Sequence, residues 1–211
     1  MNYFSTRGAT ERVSSAEAIL KGLASDGGLY VPAAFPQVSL SEIEAIAPLS
    51  YEERAVRILS LFLTDYTEEE LQGCVSRAYS HTFDDVRRAP VRTVGELEVL
   101  ELWHGPTSAF KDMALQLLPQ LMSTARKKTG EQDTILILVA TSGDTGKAAL
   151  EGFADADGIR IMVFYPDGGV SPIQRLQMVT QTGANVSVVA VRGNFDDAQR
   201  GVKEIFGDAA M

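Results

Sequence analysis

Three apolar, branched runs in the second half of the chain constrain its fold more than any other feature. They lie at Ile135–Ala140, 160–164 and Val186–Val191. Helical patterns at 146–154 and 172–182 separate them, and a last one spans 195–206. Strands joined through helices do not pair as hairpins. They form a parallel sheet with helices on both faces, a three-layer arrangement. Right-handed crossovers then bring the loops that follow the strands to one edge, the edge where such sheets take ligands. The loops so placed are 141–145, 165–169 and 192–194.

The first 80 residues read as mainly helical. Residues 1–12 form an extended arm with Tyr3 and Phe4 as anchors. Ser14 or Ser15 caps a helix that runs to about Ala24 and ends at the Asp-Gly-Gly turn, 26–28. A short strand at 29–31 is closed by Pro32. Ser41 with Glu44 reads as a capping box for a short helix ending near Pro48. Residues 51–63 form a stronger helix, and Thr67 with Glu70 opens another that reaches about Tyr79. Two strands, 91–94 and 96–103, pair across Gly95. The helical pattern at 113–128 contains Pro119, which lacks a donor and must kink or split it. The fold class is therefore α/β: a helical amino-terminal region followed by a parallel three-layer sheet.

Composition narrows the function. The chain is 45% hydrophobic and 22% charged, with a net charge of -9 from 19 basic and 28 acidic residues. No basic patch is visible, which disfavours a nucleic-acid partner. A single cysteine, Cys74, excludes an intrachain disulfide framework and is read as buried and inert. With only His81 and His104, a structural zinc site is not expected. No apolar run reaches membrane length and no secretory leader is visible, so the expected location is cytoplasmic.

Two stretches carry chemistry. The first is WHGPTSAFKD, 103–112, centred on Lys111 at a strand-to-helix junction. A lysine held in a dry cleft there has a lowered pKa and serves as a nucleophile. The second is ATSGDTG, 140–146. It follows a strand and opens a helix, so backbone amides together with the hydroxyls of Thr141, Ser142 and Thr145 form an anion cradle. A nucleoside-triphosphate loop ending at Gly146-Lys147 requires glycine at Thr141 and a hydroxyl at Ala148, and neither is present. Asp144 in a cradle for anions needs a compensating charge, unless it caps the following helix. His104 either contacts a ligand phosphate or orients its loop. Arg7 and Arg12 are candidates to meet a substrate anion, with plain surface roles as the alternative.

These residues also carry a family resemblance. STRG at 5–8, DGGLYVP at 26–32, HGPTSAFKD at 104–112, ATSGDTG at 140–146 and GNFDDAQ at 193–199 together resemble the bacterial threonine synthase family. That family belongs to the pyridoxal-phosphate enzymes of the tryptophan-synthase-beta-like fold, fold type II. The resemblance implies that Lys111 forms the internal aldimine with pyridoxal 5'-phosphate and that Phe110 shapes the cofactor pocket. It implies that Ser142, Gly143, Asp144 and Thr145, with Thr141 before them, close on the substrate α-carboxylate. It places Asp144 near the cofactor ring, and it requires no metal. The substrate implied is O-phospho-L-homoserine, converted with water to L-threonine and phosphate.

Members of that family are about twice as long. By resemblance, residues 1–110 correspond to the amino-terminal region and part of a large domain, and residues 111–211 to the small α/β domain with the lysine segment. The fold is accordingly expected to be incomplete, an amino-terminal portion that binds cofactor weakly and is inactive alone. Another pyridoxal-phosphate-dependent lyase or dehydratase, or a non-catalytic anion-binding module, are the alternatives. Homo-oligomerisation is left open by the sequence.

Overall fold

Side-chain capping sets most of the helix starts. Ser14, Ser39, Ser50, Thr67 and Ser171 each accept the amide three residues on, while the Glu or Gln at that third position accepts the cap's own amide. Each box satisfies two amide donors that a helix start otherwise leaves open. The computed structural model describes residues 1–207. In chain order the elements are β1 (Tyr3–Ser5), α1 (Ser15–Lys21), β2 (Tyr30–Pro32), α2 (Leu40–Ile46), α3 (Tyr51–Phe62), α4 (Glu68–Tyr79), β3 (Val91–Val94) and β4 (Leu97–Leu100). They continue with α5 (Asp112–Leu115), α6 (Leu118–Thr129), β5 (Ile135–Ala140), α7 (Asp144–Phe153), β6 (Ile159–Pro166), α8 (Pro172–Val179), β7 (Val186–Val191) and α9 (Phe195–Gly207).

Two helix starts lie earlier than the sequence pattern placed them, α2 and α7, the latter beginning at Asp144 and not at 146. Helix α2 is capped by the Ser39–Glu42 pair, not by Ser41 and Glu44. The two candidate boxes overlap, and the earlier one fits an extra half-turn before Pro48. The helical pattern after Lys111 is split, as Pro119 demands. Pro119 falls in the first turn of α6, where its missing donor leaves no bond unmade.

The chain forms two compact units. One comprises Met1–His81 with Gln120–Gln132, and the other Thr82–Pro119 with the residues from Asp133 onward. The sequence boundary at 110/111 falls inside the second unit. In the first unit, β1 and β2 pair antiparallel. The Asp26 carboxylate joins the STRG and DGG motifs by accepting from Ser5 Oγ, Ala9 N and Gly28 N at 2.6, 2.9 and 2.9 Å. Arg7 donates to the Asp26 carbonyl, and Arg12 lies over the Phe4 ring. Both arginines thus have local structural partners. The core is set by α4, whose Leu71, Cys74, Val75, Ala78 and Tyr79 are buried, along with Leu121, Met122 and Ala125 of α6. Tyr66 donates its hydroxyl to the Leu121 carbonyl at 3.0 Å. Burial pushes the Cys74 thiol pKa up, which suits an inert thiol.

In the second unit β3 and β4 form an antiparallel hairpin, and β5, β6 and β7 form a parallel sheet in that order. Strand β6 is central. Its Ile159, Ile161, Val163 and Tyr165 are buried, as are Ala148, Ala149, Leu150 and Phe153 of α7, which packs against this strand. Phe164, on the opposite face by strand alternation, lines a hollow with Ala198, Val202 and Ile205 of α9. Helices therefore cover both faces of the sheet.

The end of the sheet opposite its ligand edge is tied by Asn185. Its amide donates to the carbonyls of Phe153 and Ile159 at 2.8 and 2.9 Å, and its oxygen accepts from Asp155 N at 2.7 Å. Asn185→Ala leaves these groups unpaired and is expected to lower unfolding free energy by about 2–3 kcal/mol. Urea denaturation followed by far-UV circular dichroism measures it.

Candidate active site

The stretch that ends at Lys111 is shaped from beneath by Asp112. This carboxylate is fully buried and accepts from Thr107 N at 2.9 Å and Thr107 Oγ1 at 2.7 Å. Two hydrogen bonds to one carboxylate close the loop into a knot whose next residue outward is the lysine. Gly105 lies against the knot: a Cβ there would stand 2.5 Å from Asp112 Cβ. Ser108 adopts φ 57, a left-handed conformation that a non-glycine residue holds only when its surroundings enforce it.

His104 anchors the start of the same loop. Its Nδ1 meets Asp84 Oδ1 at 2.6 Å and its Nε2 meets Glu101 Oε2 at 2.7 Å. The Asp84 amide returns to the His104 carbonyl at 3.1 Å. Arg92 reaches Glu101 and Asp85 from β3. Hydrogen bonds from Glu101 first and Asp84 second raise the imidazole pKa above its ordinary value. Both ring nitrogens face carboxylates, so of the two sequence readings the structure supports loop orientation.

Lys111 is half-buried, with Nζ 4.9 Å from the centroid of the exposed Phe110 ring. No carboxylate lies within ion-pair distance of it among the described residues. The enclosure is looser than the dry cleft expected from the sequence, because Phe110 is itself 56% exposed.

The loop after β5 is braced from inside. Thr141 is buried, and its hydroxyl accepts from Gly143 N at 3.0 Å and Gly146 N at 2.9 Å. Thr141 therefore faces inward and holds the loop, while Ser142 and Thr145 remain toward the surface. Gly143 takes φ +141, and a Cβ would meet the Gln174 side chain at 2.4 Å. Asp144 does not cap its own helix. Its Oδ1 accepts from Gln174 Nε2 at 2.8 Å and pairs with Lys147 Nζ at 3.2 Å. Gln174 first and then Lys147 lower its pKa. The amides of Ser142, Asp144 and Thr145 have no acceptor among the described residues.

Helix α8 touches both loops. Gln174 reaches Asp144, and Gln177 Nε2, one turn on, donates to the Thr107 carbonyl at 3.3 Å. Neither glutamine stood out in the sequence, and Lys147 entered only through the rejected nucleoside-triphosphate loop. The Ser171–Gln174 capping box was the one available signal, and it points to a helix start and not to a site. The GNFDDAQ motif caps α9, through reciprocal bonds between Asn194 and Asp197. Among the described residues no three His, Cys, Asp or Glu side chains gather as for a metal, and no helix is long and apolar enough to cross a membrane.

The chain is similar to known proteins. A family model described as threonine synthase N terminus matches residues 2–79, and one described as pyridoxal-phosphate dependent enzyme matches residues 88–209. Threonine synthase of Schizosaccharomyces pombe is 43% identical, over 99% of this chain and 42% of its own length. That of Pseudomonas aeruginosa is also 43% identical, over 99% and 44%. The crystal structure of PLP-bound threonine synthase from Brucella melitensis superposes with a TM-score of 0.90 at 40% identity, covering 100% of this chain and 45% of that one. The yeast enzyme gives 0.89 at 38% identity, with 99% and 44% coverage. The chain spans less than half the length of these relatives. The likeness carries the α/β, fold type II architecture expected from the motifs.

Two outcomes test the geometry. Gly143→Ala combines a left-handed φ with a collision against Gln174 and is expected to destabilise by about 1–3 kcal/mol, measured by thermal unfolding. The raised His104 pKa means that its clamp stabilises fully below the unfolded value of about 6.5 and is lost as pH rises through the higher folded value. The protection factor of the Asp84 amide, which corrects for the intrinsic rise of exchange with pH, should therefore fall across that window, and in His104→Gln it should stay constant there.

Proposed function

The chain belongs to the pyridoxal-phosphate dependent enzyme family, and we propose that it carries the cofactor-bearing lysine and the substrate-carboxylate loop of a threonine synthase. The reaction proposed takes O-phospho-L-homoserine and water to L-threonine and phosphate. One observation carries the reading: among the described residues, a lysine amine with no carboxylate at ion-pair distance is set by a fully buried aspartate, in the same unit as a loop whose helix-start amides lack acceptors.

The residues present fit the cofactor. Lys111 offers a primary amine for its aldehyde, and the Phe110 face beside that amine suits a flat ring. When bound, pyridoxal phosphate holds the electrons released as the substrate α-carbon loses its proton. Lys111 Nζ then has two tasks. It retains the cofactor between turnovers, and it carries protons from the substrate's α- and β-carbons and back. Asp112 fixes the backbone on which this amine swings, because the knot with Thr107 leaves the preceding loop no freedom to slide.

At the other loop, the amides of Ser142, Asp144 and Thr145 with the Ser142 and Thr145 hydroxyls receive the substrate α-carboxylate. Gly143 lets the backbone approach closely, and Thr141 keeps the amides aimed. This division of labour refines the sequence reading: Thr141 positions the cradle, and its neighbours touch the substrate. Phosphate leaves from the γ-carbon and water adds at the β-carbon, so the carboxylate grip holds the end of the substrate that does not change.

Borohydride reduction with limiting pyridoxal phosphate, followed by peptide mapping, tests the assignment. The label is expected at Lys111 and should vanish in Lys111→Ala. A label spread over other lysines, with none at 111, would overturn it.

A further inference from the structure

Lys147 is hard to explain by stability. Its side chain is 9% exposed and it sits in the fourth position of α7. A buried ammonium is costly to desolvate, and the positive end of a helix dipole disfavours a cation there. Its recorded partner is Asp144, whose own side chain is 52% exposed. A half-exposed carboxylate offsets little of that penalty.

The consequence for Asp144 is plain in the geometry. The helix dipole draws a carboxylate in the first turn toward the open amides of that turn. Here both Gln174 and Lys147 hold the same oxygen, Oδ1, so the carboxylate is drawn off the helix start. The amides of Ser142, Asp144 and Thr145 keep no acceptor among the described residues. Lys147 also cancels the Asp144 charge, so an arriving anion meets the partial positive charge of the amides and not a net negative loop.

We propose that Lys147 is a positioning residue that, with Gln174, holds Asp144 away from the start of α7 and so keeps the loop open to a carboxylate. This rests on the reading of the loop as the substrate-carboxylate cradle. In the absence of Lys147, Asp144 competes for the amides or repels the incoming anion, and the affinity of the cradle falls.

The test is a sodium acetate titration of the 15N-labelled chain at constant ionic strength, read at the amides of Ser142, Asp144 and Thr145. These amides are expected to shift in the unsubstituted chain. Lys147→Met should weaken acetate binding roughly fivefold, Lys147→Arg should largely preserve it, and adding Asp144→Ala to Lys147→Met should restore it. That recovery is something a purely structural lysine would not show. Lys147→Gln gives the same reading should the methionine variant fail to fold. Unchanged affinity in Lys147→Met, or no recovery in the double variant, overturns the inference alone. Absence of any shift in the unsubstituted chain overturns the cradle reading and the inference with it.

Discussion

A carboxylate with no exposure to water has to be satisfied by the protein, and Asp112 is satisfied by a residue five positions back. Both bonds run to Thr107, one from its amide and one from its hydroxyl. Breaking either would leave a buried negative charge short of a donor, at a penalty of several kcal/mol. The loop is therefore held by the electrostatic requirement of the group beneath it. The left-handed Ser108 and the tight approach of Gly105 follow from the same closure, and Lys111 inherits its position from all three. The chemistry proposed at the lysine depends on this one knot.

The second loop is organised differently. Thr141 gives its hydroxyl oxygen to two amides of its own turn, which orients the turn without any charge. Charge enters only through Asp144, and it is met at once by Lys147 and by the neutral amide of Gln174. Helix α8 then reaches the lysine loop through Gln177. A rigid helix that touches two loops through side chains one turn apart fixes each relative to it. Such preorganisation is what lets a site hold a substrate without rearranging at the moment of reaction.

Much of this was legible in the sequence because the signals were local. Branched runs between helical patterns gave the parallel sheet, the Thr67–Glu70 pair gave the start of α4, and Pro119 gave the split between α5 and α6. Of the misplaced starts, α2 has two overlapping Ser-x-x-Glu pairs that nothing local separates, and α7 begins two residues before the pattern read at 146. Lys111 and the loop at 141–145 stood out as strand-to-helix junctions, and five motifs together carried the family likeness. What was not legible depends on distance along the chain. Gln174 lies 30 residues from Asp144, and Gln177 lies 70 from Thr107. Their roles come from packing, which leaves no periodicity to read. Thr141 was hidden for another reason: a hydroxyl in a loop looks the same whether it turns toward a ligand or inward.

The Gln174 bridge has a chemical lifetime as well as a geometry. Its amide nitrogen meets Asp144 as a donor, but slow hydrolysis of that amide would replace the donor with a second acid. Two carboxylates would then face each other where one hydrogen bond of 2.8 Å now stands. The clamp would become a wedge, pushing α8 from the loop it holds. Deamidation at this single position would thus loosen the hold of α8 on the loop while the sheet beneath stayed whole.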